Sequence, residues 1–263
     1  METVKRMCAD IKKYWSYAVW SAKAELKAEV ANSYLNWVWW ILEPLCMMLI
    51  YAFIFGVVFN GSEPYFAIFI FIGLTLWNFF SGCVTSSVKS MKRNKAIISK
   101  VYIPKYILLL VKMLVMAFKM LISFGIIVIM MVVYQVKITP LIAYVPLILL
   151  VLFVFTFAIS VHLMHFGVFI EDMGNIVNIV LRLVFYMTGI FFNIEKRLPG
   201  TPGRILTHWN PTALVITSMR RVILYEQVPS WKYLLLWLAI SVVIALWGVK
   251  RIYKYENSYA KIV

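Results

Sequence analysis

Long apolar runs separated by short polar breaks dominate this chain. Six of them approach or exceed the roughly 20 residues a helix needs to cross a bilayer core: 37–59, 65–86, 106–134, 141–166, 175–192 and 231–252. Ahead of them, residues 10–34 follow another pattern. Ile11, Trp15, Ala18, Ala22, Leu26 and Val30 recur at helical spacing, while Lys12, Lys13, Ser16, Lys23 and Lys27 fall largely elsewhere. This predicts an amphipathic helix, either lying on a membrane surface or packing on a partner. Between the fifth and sixth runs, residues 193–230 are too long for a turn. They hold Pro199-Gly200-Thr201-Pro202-Gly203 and then Asn210-Pro211-Thr212. Asn caps a helix and Pro fits its first position, so a helix is expected over about 211–226. The stretch reads as an external hairpin that dips back into the bilayer, which requires cover from protein or water. Asn60-Gly61-Ser62-Glu63-Pro64 predicts a tight turn joining the first two runs. The expected fold is an all-α integral membrane protein. It has a cytoplasmic interface helix over 1–35 and a six-span domain over 36–263, with a cytoplasmic loop at 87–105 and the re-entrant hairpin at 193–230.

Composition agrees. The chain is 63% hydrophobic and 14% charged, with mean hydropathy +0.86, where a soluble domain has about 25% charged residues. The net charge of +15 raises nucleic acid as a partner. The basic residues sit at the ends of apolar runs, so positive-inside topology and anionic lipid account for them instead. Lys5, Arg6, Lys12, Lys13, Lys23, Lys27, the 89–112 group, Lys250, Arg251, Lys254 and Lys261 fall on one side. Lys137 and a scatter in 193–232 fall on the other, which places both termini in the cytoplasm. The 167–174 loop is the exception, with only Glu171 and Asp172. Residues 1–35 lack the apolar core of a signal peptide, so the first span is expected to direct its own insertion. Cys8, Cys46 and Cys83 fit neither a disulfide framework nor a zinc site, and the last two read as packing residues.

The 87–105 loop carries Lys89, Lys92, Arg93, Lys95, Lys100 and Lys105 with no acid. Its short apolar-basic pattern suits a soluble partner on the cytoplasmic side. The chain has no P-loop, His-Glu-x-x-His, Gly-x-Ser-x-Gly or Cys-x-x-Cys motif, so neither ATP binding nor covalent chemistry is expected of it. His162 and His165 read as packing or interfacial residues before a metal pair. Charges within spans carry a functional expectation: Glu43, Lys112, Lys119 and Arg182. Glu43 and Lys112 lie about 10 Å from the inner side at about 1.5 Å per residue, which suggests a pair. That pair fits an interhelical clamp or a substrate path equally well. Trp40, Tyr51 and Phe55 share a face of the first span, and Phe185, Tyr186, Phe191 and Phe192 repeat the theme in the fifth. Such rings pack in cores and also contact sugar C–H groups.

Six ordered segments carry a resemblance: Trp39-Trp40-Ile41-Leu42-Glu43-Pro44-Leu45, Phe53-Ile54-Phe55-Gly56-Val57-Val58-Phe59, Ile72-Gly73-Leu74-Thr75-Leu76-Trp77-Asn78-Phe79-Phe80, the 98–105 loop, Gly167-Val168-Phe169-Ile170-Glu171-Asp172, and Trp209-Asn210-Pro211. With them the chain resembles the membrane subunit of polysaccharide-exporting ABC transporters, the O-antigen, capsule, teichoic-acid and rhamnan export permeases. Glu171 departs from the basic residue that family commonly has before the Asp. The resemblance implies a homodimer in the bacterial cytoplasmic membrane, joined to two copies of a separate ATPase that binds ATP and Mg, with no cofactor in this chain. It implies coupling to that ATPase through Asn94, Lys95, Lys100, Tyr102, Pro104 and Lys105, with Glu171 and Asp172 nearby. It also implies a lipid-linked polysaccharide moving past Trp40, Tyr51, Phe55, Phe185 and Tyr186, and a hairpin closing the outer end. Two other readings stand beside it. One is an ABC permease for a small molecule or lipid; the other is a membrane enzyme acting on polyprenyl-linked sugars, which would need acids or a metal cluster in its loops.

Overall fold

A computed structural model describes residues 2–31, 34–59, 63–256 and 258–259, and no strand occurs among them. The chain begins with α1 (Glu2–Val30), α2 (Trp39–Ala52) and α3 (Phe66–Val88). Two short turns, α4 (Ser90–Arg93) and α5 (Lys95–Ile98), lead to α6 (Lys105–Val133), α7 (Val145–Phe169) and α8 (Met173–Met187). Then come α9 (Ile194–Arg197), α10 (Thr201–Trp209), α11 (Pro211–Ile223) and α12 (Trp231–Lys254). Within the expected tight turn, residues 60–62 lie outside the described residues, as does Lys261.

Among the described residues, five segments are long and apolar enough to cross a membrane: Asn36–Val58, Phe66–Val88, Lys105–Val133, Pro140–Phe169 and Trp231–Lys254. The chain is a multi-pass membrane protein. The run expected over 175–192 forms only the 15-residue α8. At its end the Thr188 hydroxyl donates to the Val184 carbonyl at 2.5 Å. Gly189 follows with φ +68, the left-handed position that closes a helix.

The core forms around α3, whose span window is 78% buried, against 6% for the span containing α2. α6, α7, α2, α8 and α11 surround α3, and α12 lies along α7. Gly248 permits that last contact, because a methyl there would run into Val161. α1 packs along α6, burying Ala18 and Ala22 and partly burying Met7, Ile11, Tyr14 and Tyr17. The buried stripe follows the expected one at Ile11, Ala18, Ala22 and Leu26, whereas Trp15 stays 48% exposed. Cys83 is buried as expected, whereas Cys46 is exposed, because little of α2 is covered.

The bundle has two ends. Side-chain contacts gather the start of α1, the 99–106 segment and the end of α12 at a basic end. Glu63, Lys196 and Tyr225 meet at the far end.

Candidate functional site: a polar cleft between apolar helices

α3 carries Asn78, Ser81 and Thr85, with Lys89 just past its end, at intervals of three and four residues, which puts them on one face. α8 carries Asn175, Asn178 and Arg182 in the same way, all exposed. All of these but Arg182 border a cleft. Near the basic end it holds a cavity of about 640 Å³, lined by Ser81, Thr85, Lys89, Arg93, Asn175 and Asn178, with Glu171 as the acid among its described lining residues. Further along, a cavity of about 420 Å³ is lined by Trp40, Glu43, Tyr51, Trp77, Lys119 and Phe185 among others. Ser81 and Gly82 border both cavities, so the two adjoin.

Aromatic rings close the cleft toward the far end. Phe55 stacks on Phe191 with centroids 4.1 Å apart, Tyr51 approaches Phe191 at 5.0 Å, and Phe185 meets it edge-on at 5.4 Å. Phe55 sits in a widened turn, Phe53–Val58, continued by the Phe59 N–H donating to the Ile54 carbonyl at 3.1 Å. Of the five expected channel aromatics, Trp40, Tyr51 and Phe185 line the cleft and Phe55 closes it. Tyr186 packs on Phe185 but is 68% exposed and lines neither cavity.

The in-span charges take partners the sequence did not suggest. Lys112 reaches Glu25 on α1 at 2.6 Å and Glu29 at 3.6 Å, while Lys119 reaches Glu29 at 2.5 Å. The expected Glu43–Lys112 pair does not form. α1 runs beside α6, and its two acids lie one turn apart beside the lysines. Glu43 instead faces the cleft with Lys119, and Arg182 continues the polar stripe of α8.

At the basic end, the loop residues separate by exposure. Lys95, Lys100 and Tyr102 are exposed, while Pro104 and Lys105 are buried. The Lys105 ammonium donates back to the Ile103 carbonyl at 3.4 Å. Asn94 donates to the Ser90 carbonyl at 2.9 Å at the break between α4 and α5. Glu171 and Asp172 are exposed, and Glu171 lines a small cavity with Lys89, Lys92 and Arg93. His162 bonds the Ile244 carbonyl and His165 the Tyr259 hydroxyl, so each has a packing role.

The far end holds residues the sequence reading passed over. Arg220 is 3% exposed and donates to the carbonyls of Phe69 (3.0 Å), Gly189 (2.7 Å) and Ile190 (2.7 Å). Its guanidinium lies 3.4 Å from the Phe69 ring centroid. It thereby joins α11 to the first turn of α3 and to the turn closing α8. Glu63 accepts from Lys196 at 2.9 Å and from the Tyr225 hydroxyl at 2.5 Å. Burial, then the bond to Glu63, pushes the Tyr225 phenol up from its ordinary pKa. Asn210 caps α11 as expected, accepting from the N–H groups of Thr212 and Ala213.

Comparison with known proteins adds a family. A family model described as "ABC-2 type transporter" matches residues 18–224. The O-antigen export system permease protein RfbA of Klebsiella pneumoniae is 27% identical over 242 residues, covering 91% of this chain and 92% of that protein. The protein of the same name from Myxococcus xanthus is 24% identical over 249 residues, covering 95% of each.

Proposed function

This chain belongs to the ABC-2 type transporter family, and we propose that it is the permease subunit of an exporter that moves a lipid-linked cell-surface polysaccharide across the bacterial cytoplasmic membrane. It is a transport component rather than an enzyme. The cleft carries this reading. Its amide and hydroxyl groups suit a hydroxyl-rich chain, and its rings suit the apolar faces of sugars. Lys89 and Arg93 at its basic mouth suit a phosphate-bearing headgroup. Two adjoining cavities suit an elongated cargo better than one small molecule.

Topology follows from charge. The basic end faces the cytoplasm with both termini, and α8 is the short sixth crossing. The contacts of Gly189 and Ile190 with Arg220, beside Phe69, support this, since they bring the end of α8 to the first turn of α3. Residues 1–35 form the interface helix and 36–263 the permease domain. The 193–230 hairpin lies at the outer end, where its buried α11 supports a re-entrant position. A second copy covers the bare face of α2 and faces Arg182, which is too costly to leave in lipid. Two copies of a separate ATPase, binding ATP and Mg, dock on the 87–105 loop.

The test is export of glycan to the cell surface by a strain lacking this gene, complemented with the chain and its ATPase. Asn178→Leu and Thr85→Leu line the track with apolar groups and should lower surface glycan while leaving the chain in the membrane. Full surface glycan in both variants would remove the track from the pathway.

A further inference from the structure

Two layers of side chains tie three elements together at the basic end. In the first, Arg6 of α1 donates to the Tyr102 hydroxyl at 2.9 Å, and that hydroxyl donates to Glu256 at 3.1 Å. Arg6 also lies 3.7 Å from Glu256. In the second, Tyr253 of α12 donates to Asp10 of α1 at 2.6 Å. Tyr106 of α6 meets the Tyr253 hydroxyl at 2.9 Å and Asp10 at 3.3 Å. Each layer therefore takes one residue from α1, one from the 102–106 segment and one from the end of α12 or the turn just after it. The layers stack, with the Arg6 guanidinium 4.0 Å from the Tyr253 ring centroid. Tyr14 of α1 adds a bond to the Tyr102 carbonyl at 3.3 Å.

The two layers differ in kind. Tyr106 is fully buried, so the lower layer belongs to the core. Tyr102 is 56% exposed and Arg6 is half exposed, so the upper layer meets solvent. Exposed ion pairs add little to stability. What this layer does is fix the position of Tyr102 against two other helices. Burial, followed by the charge of Glu256, raises the Tyr102 phenol from its ordinary pKa and keeps its proton available to donate.

We propose that the inner end of α12 belongs to the coupling element, with Arg6, Tyr102 and Glu256 as positioning residues that make the docking loop, α1 and α12 move as one body. This rests on the reading that an ATPase docks on that loop. A push on the loop then reaches three helices rather than α6 alone. Through α1 it reaches the Lys112 and Lys119 contacts, and through α12 it reaches α7.

The experiment uses the full chain co-purified with its ATPase. Arg6→Gln removes the guanidinium from which the Tyr102 hydroxyl accepts, and Glu256→Gln removes the charge to which it donates. Each should lower glycan exported per ATP hydrolysed by about 3- to 10-fold, with the complex and its ATP hydrolysis retained. The double variant should be no worse than the worse single, because the two act through one joint. A role confined to folding would lower yield and ATP hydrolysis together and leave the ratio unchanged. An unchanged ratio, or additive losses, overturns the proposal. Nitroxide labels at Lys12 and Lys250 give a second measurement on the parent complex. Their separation should stay constant with and without ATP, and a change with nucleotide overturns the single body. If the unaltered chain captures no ATPase, the docking reading itself has failed, and that is seen before any variant is made.

Discussion

Arg220 and Arg221 are chain neighbours with opposite expected consequences. Replacing Arg220 with Met removes a guanidinium that satisfies three buried carbonyls, those of Phe69, Gly189 and Ile190. Bonds from a charged donor contribute about 1.5–3 kcal/mol each, and each orphaned acceptor costs a further ~1–3 kcal/mol. Relief from holding a buried cation offsets part of this. A net loss of about 3–5 kcal/mol is expected, in line with breaking other buried charged contacts. At roughly 2–4 °C per kcal/mol for a chain of this size, melting should fall by about 6–20 °C. Arg221→Ala breaks a pair with Glu195 whose side chains are 22% and 32% exposed, at 2.6 Å. That loss should be about 1 kcal/mol, or a few degrees. The chain supplies its own reporter. Cys83 is fully buried while Cys8 and Cys46 are exposed. With the exposed two changed to Ser, a thiol-reactive dye reads unfolding through Cys83 alone. Equal shifts for the two arginines, or a shift of under about 2 °C for Arg220→Met, would refute the assignment of Arg220 as the tie between α3, α8 and α11.

Three further outcomes are expected. Lys112→Glu should loosen α1, seen as faster proteolysis within residues 2–30, and adding Glu25→Lys should reverse it; Glu43→Gln should leave α1 docked, and the opposite ranking would restore Glu43 as the partner. Gly248→Ala should cost about 1–3 kcal/mol by forcing α12 away from Val161, and Val161→Ala should recover much of it; additive losses measured by the same dye would refute the close approach. Cysteines at Asn178 and Arg182 should react with a charged, membrane-impermeant thiol reagent in open vesicles, while one at Ile179 should not. Equal labelling at all three would mean that α8 has no polar face turned to water.

Much of the fold was legible because membrane crossing leaves a coarse signature. Apolar runs located α2, α3, α6, α7 and α12, and Asn210-Pro211 located the start of α11. The run at 175–192 was overread. Apolarity continues through Phe191 and Phe192, but Gly189 ends the helix by backbone geometry, which a hydropathy pattern does not register. The cleft was only half visible. Its aromatics stand out in number, whereas Asn78, Ser81, Thr85, Asn175 and Asn178 read singly as minor breaks in apolar runs. Only their three-and-four spacing on two facing helices makes them a lining. Lys112 pairs outside the spans, with Glu25 and Glu29 on the helix before them, a partnership that depends on how α1 packs and leaves no mark in the apolar runs. Arg220 carried one usable signal: a cation in an apolar helix with no acid within reach along the chain.

The distribution of fixed and loose contacts says which wall of the cleft moves. The α8 wall is anchored at its far end, where Arg220 binds the turn after it and the start of α3 together. The α3 wall is the core of the molecule. Within one copy, α2 is the least covered wall, because almost none of its span is buried. Its far part, Phe53–Val58, winds more widely than an α-helix, a geometry that recurs at functional sites. Phe55 lies within that segment and meets Phe191 by ring stacking alone, worth about 0.5–1.5 kcal/mol beyond the area it buries. Separating these rings costs far less than breaking the arginine tie. Within one copy, the far end of the cleft is therefore expected to open through α2 rather than through α3, α8 or α11.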